Sequence, residues 1–245
     1  MSLARAVAVL LTLAVAGCGT SKPTRSTPPD SDASKREDTR QLVRIPGGPG
    51  ALAAMAARDG FTLRDKPAGK VIAHLNPRTD WGSPTVVWAV TRRGNWLGVV
   101  ATALGNNQVG WLDVQHDHPR LWRAHFSLVA DLSQRTLELR RGTKLVRRIK
   151  VGIGGPASPT PIGRFTVTDK LIPGPSHAFY GCCLLALSGH QPKLRPGWAG
   201  GDRIAIHGGG GIGGAASAGC LHASDRDLTK LMKTLPVGTP VVIRA

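Results

Sequence analysis

Acidic side chains are in short supply in this chain. Fifteen Asp and Glu stand against 32 Lys and Arg, which leaves a formal net charge of +17 and a sequence pI near 11.0. Such a deficit turns a protein toward polyanions: nucleic acid, anionic lipid headgroups or an acidic cell wall. Aromatic residues are sparse as well, at 4%, while Gly (31) and Pro (18) are plentiful. That balance argues against a helix bundle and for a loop-rich β protein. Long hydrophobic runs are missing. The apolar stretch from Ala6 to Ala16 is too short to span a bilayer. There is no internal repeat and no P-loop. The glycine run after His207 does not open a helix behind a tight G-x-G-x-x-G turn, so a dinucleotide fingerprint is excluded.

What is present begins with export. MSLARAVAVLLTLAVAGCGT has a short n-region with Arg5 and then the apolar run, the shape of a signal peptide. Its end, Val15-Ala16-Gly17-Cys18, resembles a bacterial lipobox. The resemblance implies that residues 1–18 are a lipoprotein signal segment, that Cys18 carries lipid, and that the mature protein is anchored on the outer face of the cytoplasmic membrane or in the cell envelope. Export makes nucleic acid an unsuitable partner for the positive charge. Four cysteines occur, Cys18, Cys182, Cys183 and Cys220. With Cys18 lipidated, three remain, so at least one is unpaired or paired between molecules. Cys182 and Cys183 are adjacent and lack the two-residue gap of a zinc knuckle. They read as two ordinary strand residues, one facing each side.

Residues 19–42 are polar, proline-bearing and charge-mixed, the composition of a disordered tether. Residues 43–60 form a connecting segment, with a short helix expected around Ala51 to Arg58. From 61 to 120, five short strands are expected: FTLR, KVIAHL, TVVWAVT, NWLGVVA and QVGWLDV. Turn residues such as Lys66-Pro67, Asn76-Pro77 and Arg93-Gly94-Asn95 separate them. Five strands in so short a span suggest a small barrel. The pattern around Trp88, Trp96 and Trp111 resembles bacterial SH3-like domains, although core packing accounts for most of these tryptophans by itself.

From 124 to 245 the chain is again mostly β. SLVADLSQRTLELRRGTKLVRRIKVGIGG reads as a strand, a hairpin around Arg141-Gly142 and another strand. GRFTVTDKL, CCLLALS, DRIAIHG and PVVIRA read as further strands. One helix stands out: Ser224 is placed as N-cap with Asp227 at the third helical position, and Leu228, Leu231, Met232 and Leu235 share a face.

The chemistry points to IAIHGGGGIGGAASAGCLHAS, residues 204–224. A cysteine nucleophile needs a thiolate, and a nearby imidazole can take its proton. His207 stands at the end of an apolar strand, thirteen residues before Cys220, and His222 two after it. Small residues precede Cys220 and leave room for a substrate and for converging backbone N–H groups. On residue types alone the cysteine is better read as a small buried hydrophobe, the more frequent state of a free cysteine.

Four stretches resemble the L,D-transpeptidase catalytic domain, the YkuD-like fold: VGIGGPASPTPIGRFTV with Thr160, Pro161 and Gly163; AFYGCCLLALSGH; IAIHG; and SAGCLHAS followed by a helix and GTPVVI. The resemblance covers about half the chain. It implies a mainly β fold, a sandwich of the L,D-transpeptidase type with one helix near the C-terminus, preceded by the SH3-like barrel. It implies Cys220 as nucleophile, His207 as general base, and the Gly208 carbonyl as the group that holds the imidazole. Gly219 and Cys220 would supply oxyanion N–H groups, Ser217 would shape the loop, and His222 would contact substrate where the family usually has arginine. Ala218 replaces the signature's second histidine, and Cys182 stands where proline often follows the tyrosine-glycine pair.

The implied activity is a cysteine acyl-enzyme reaction on peptidoglycan stem peptides that forms 3→3 cross-links, with no metal or organic cofactor, by a monomer. An L,D-carboxypeptidase that trims stems, a non-catalytic wall-binding lipoprotein and a metal module built on Cys182, Cys183, His207 and Cys220 are the alternatives.

Overall fold

The computed structural model describes residues 51–194, 196–198 and 200–245. The expected signal segment, Cys18 and the tether of residues 19–42 lie outside the described residues. The first seven strands form one sheet: β1 (Ala51–Met55), β2 (Phe61–Arg64), β3 (Val71–Leu75), β4 (Val86–Arg93), β5 (Trp96–Val100), β6 (Gly110–Asp113) and β7 (Arg120–Ala124). Their order across the sheet is β3-β2-β6-β5-β4-β1-β7. All five strands read from the sequence are there, and two more flank them. Ala51–Met55 is a strand and not the expected helix. It pairs antiparallel with β4 on one side and β7 on the other, and this two-sided pairing overrides the helical preference of an alanine-rich segment. A four-residue helix, α1 (Val114–Asp117), links β6 to β7; Asp113 caps it by accepting the Gln115 N–H.

Beyond β7 an eight-stranded sheet begins. Its strands are β8 (Phe126–Asp131), β9 (Thr136–Arg141), β10 (Lys144–Lys150), β12 (Gly163–Leu171), β13 (Leu184–His190), β14 (Arg203–His207), β16 (Leu221–His222) and β17 (Pro240–Arg244), in the order β10-β9-β8-β17-β12-β13-β14-β16. The short strands β11 (Ile153–Gly154) and β15 (Ala215–Ser217) pair parallel beside it. The segment read as two strands about one hairpin holds three long strands and the short β11, because the chain also reverses between Asp131 and Thr136. β13 is buried along nearly its whole length: Leu185 and Leu187 join the core, while Ala186 and Ser188 line pockets on the opposite side.

Helix α2 (Asp225–Thr234) closes this core. Its N-cap is Ser224, whose Oγ accepts the Asp227 N–H at 3.1 Å and donates to the Asp227 carboxylate. Leu228, Leu231 and the following Leu235 pack with Leu185, Leu187, Ile204 and Ile206. The two sheets are joined directly. Trp88 and Val100 pack with Val242 of β17. Asn106 exchanges two hydrogen bonds with the His190 backbone, and the Thr79 hydroxyl donates to the buried carboxylate of Asp169.

Candidate active site

β14 and β16 run parallel, with Ile206 opposite Leu221 and His207 opposite His222. Cys220 immediately precedes β16, which sets it level with Ala205. A backbone hydrogen bond from Ala205 reaches the thiol. Side chains two apart on a strand share a face, so Cys220 with His222 and Ala205 with His207 line one side of this pair. The His207 and His222 rings lie 4.3 Å apart between centroids, and Tyr180 meets His207 edge-on at 4.8 Å. Tyr180 comes from the 3₁₀ segment Pro175–Tyr180 that leads toward β13.

The hydrogen bonds settle the tautomers. His207 Nδ1 lies 2.8 Å from the Gly208 carbonyl, and His222 Nδ1 lies 2.9 Å from the Gly210 carbonyl. A carbonyl only accepts, so each Nδ1 carries the proton and each Nε2 is left as a base. His207 is buried, 5% exposed. Burial, and then the charge of His222, lower its pKa to about 4, against the Gly208 bond, which raises it. Burial also pushes the Cys220 thiol above its ordinary value, with the Ala205 bond pulling the other way. The resting pair is therefore a neutral thiol with a neutral imidazole. Tyr180 is raised too, by burial first and then by the charge a Cys220 thiolate would carry. The thiol thus lies close enough to the tyrosine for its charge to be felt.

The sequence model of the YkuD family, described as the L,D-transpeptidase catalytic domain, matches residues 125–243. Residues 125–243 are a YkuD-type L,D-transpeptidase domain. A Bacillus licheniformis protein named as an L,D-transpeptidase, YkuD, is 30% identical over 121 residues, which is 48% of this chain and 65% of that relative's length. Among solved structures, an L,D-transpeptidase from Mycobacterium tuberculosis aligns with 90% of this chain and 88% of its own, at 16% identity and a TM-score of 0.42. One from Mycobacterium smegmatis aligns with 85% and 86%, at 19% identity and 0.39. Both TM-scores lie below 0.5, and the assignment stands on the family match.

Within the YkuD domain, the loop before Cys220 is tied from two sides. Ser217 Oγ donates to the Cys220 carbonyl at 2.7 Å and accepts the Gly219 N–H at 3.1 Å. The Gly219 N–H, expected as an oxyanion donor, meets the Ser217 hydroxyl in this structure. Gln191 was not singled out in the sequence. It is 4% exposed, and its Nε2 donates to the carbonyls of Pro159 and Ala218. Gly219 has φ +114, and a Cβ there would strike the Gln191 amide.

A cleft of about 450 Å³ opens on Cys220. Tyr180, His177, Ile172, Arg203 and Trp81 are among its walls, whereas His207 and His222 are not. His222, expected to contact substrate, packs on His207, because the parallel register sets the two opposite each other. Trp81 comes from the loop between β3 and β4 of the amino-terminal sheet, and no local signal in the sequence links it to this site.

Cys182 and Cys183 are not strand residues facing opposite ways. They sit in the turn before β13, and their sulfurs are bonded to each other. The turn brings adjacent side chains to the same side, and it withdraws both thiols from the metal alternative. Cys220 is the free cysteine among the described residues. Asp225, at the start of α2, accepts the Cys182 N–H, and its carboxylate occupies the space a Cβ on Gly181 or Gly208 would need. It thereby locks the Tyr180 turn against the His207 strand.

Proposed function

We propose that the protein is a peptidoglycan L,D-transpeptidase that works through a cysteine acyl-enzyme and forms 3→3 cross-links. The observation that carries the reading is the β14–β16 register, which sets Cys220 and an Nδ1-protonated, buried His207 on one face beside an open cleft. Cys220 Sγ attacks the carbonyl after the third residue of a tetrapeptide stem as its proton passes to His207 Nε2. Collapse of the tetrahedral adduct breaks the amide. The terminal D-alanine leaves with that proton on its amine, and a thioester remains. The side-chain amine of a diamino acid on a neighbouring stem then attacks the thioester, gives a proton to His207, and releases the cross-linked product. The proton returns to the thiolate. The Gly208 carbonyl keeps Nε2 aimed throughout, and His222 and Tyr180 pack the ring in place.

The apolar run ending in Val15-Ala16-Gly17-Cys18 and the net charge of +17 support an exported, lipid-anchored protein held in an anionic wall. Incubation with a defined disaccharide tetrapeptide, followed by mass analysis, tests the reaction. The expected product is a dimer lacking one D-alanine, lost entirely in Cys220→Ala. A tripeptide without any dimer would instead identify the L,D-carboxypeptidase, with water as acceptor. Turnover that survives Cys220→Ala would refute the cysteine mechanism.

A further inference from the structure

A second pocket, of about 280 Å³, lies between the amino-terminal sheet and strands β12, β13 and β14. It shares Trp81 and Arg203 with the cleft that opens on Cys220, so the two cavities adjoin across that pair. The Arg203 guanidinium sits 5.2 Å from the Trp81 ring centroid, and the indole is still 48% exposed. Arg203 itself is held from behind: its Nε and Nη2 donate to the Leu187 carbonyl, and Nη2 also to the Thr168 hydroxyl. Arg203 is thereby fixed beneath the Trp81 ring.

The chemistry of the walls is mixed in a particular way. Val86, Val87, Val100 and Ala101 supply an apolar floor. Asn76, Asp80, Thr85 and Thr102 supply a polar rim. Among the described residues, the side chains of these four make no hydrogen bond within the protein. A half-exposed indole, an apolar floor and a rim of amide, hydroxyl and carboxylate groups, with the Asp80 charge acting on Arg203, match a pyranose. Such a ring has one face of C–H groups and an edge of hydroxyls. The volume suits about one such ring and is small for a folded partner.

We propose that this pocket is a saccharide subsite, which holds the amino sugar of the glycan strand while its stem peptide lies in the Cys220 cleft. The inference rests on the function proposed above. Length is compatible with it: the attacked carbonyl lies three residues from the sugar end of a stem, about 10 Å when extended, and the pocket adjoins the cleft through Trp81 and Arg203. The amino-terminal sheet thereby becomes part of the substrate site, with Trp81 its contact residue.

The test is binding without chemistry. Cys220→Ala protein is titrated with N-acetylated chitotetraose and followed through the Trp81 indole N–H resonance. Saturable binding is expected, weakened about tenfold or more by Trp81→Ala, with Asn76→Ala weakening it to a lesser degree. Both variants should melt as the parent does, which separates loss of a contact from loss of fold. Absence of saturation, or binding that Trp81→Ala and Asn76→Ala leave unchanged, overturns the subsite. Displacement of the sugar by a sugar-free tetrapeptide at the Asn76 and Thr102 resonances would make it a peptide pocket and overturn it as well. Sugar binding by a protein that never turns over stem peptide would leave the subsite standing and remove the transpeptidase reading.

Discussion

Acid should reach this protein first through His207. In the folded state its pKa is about 4, chiefly because the ring is buried and secondly because His222 lies against it. In the unfolded chain it returns to about 6.5. Between those values the unfolded state binds a proton that the folded state refuses, so stability falls as the pH falls through this window. Above about 6.5 the contribution is complete, and below about 4 this group removes nothing further. One unit is worth about 1.4 kcal/mol, so the whole interval costs about 3 kcal/mol and the step from pH 6.5 to 5 about 2 kcal/mol. The carboxylates of Asp131, Glu138 and Asp227 are held below their ordinary values by hydrogen bonds and arginine partners. Their losses come at still lower pH and do not crowd the upper window. Urea unfolding of the native protein and of His207→Gln, taken from pH 7 to 5, measures the difference in slope. The variant will be less stable throughout but should lack this part of the pH dependence. Acylation of Cys220 by a carbapenem-type β-lactam, read by mass spectrometry, should rise through an apparent pKa near 4 and be level by pH 6. An inflection near 6.5, together with equal slopes in the two proteins, would refute both the burial argument and His207 as base.

Four further changes probe the same site. His222→Ala removes the neighbour that, after burial, lowers the His207 pKa, so the acylation pKa should move up from about 4 without reaching 6.5, because burial remains. Gly219→Ala places a Cβ against the Gln191 amide at φ +114; it should cost about 1–3 kcal/mol in denaturant and slow acylation. Ser224→Ala removes the cap of α2 and should cost about 1 kcal/mol, with acylation kept because the helix packs on the core and not on the thiol. Alkylation of the denatured, unreduced protein should label Cys220 and neither Cys182 nor Cys183. Labelling of Cys182 before reduction would contradict the bonded pair.

How much of this was legible in the sequence depends on how local each cause is. The helix after Ser224 was readable because a cap, its partner three residues on and a leucine face all lie within one segment. β12, β14 and β17 were readable because their apolar runs end at turn residues. The strand Ala51–Met55 was not, because its partners β4 and β7 are distant in the chain and alanine carries no β signal of its own. The site divides the same way. Cys220 and His207 stand out by residue type and by the small residues around them. The register that sets His222 on His207 is tertiary, and so is the Ser217 bond that takes the Gly219 N–H. Trp81 is the extreme case. Its cleft neighbours Tyr180, Arg203 and Cys220 lie about 100 residues or more away. The packing of Trp88 and Val100 on Val242, with the Thr79–Asp169 and Asn106–His190 hydrogen bonds, brings the two sheets together there. The residues proposed to perform chemistry were written locally, while the cleft walls contributed by the amino-terminal sheet depend on how the sheets dock. Substitutions at that junction, at Val242 or Asn106, should therefore alter substrate preference before they alter the reactivity of Cys220 toward a small acylating agent.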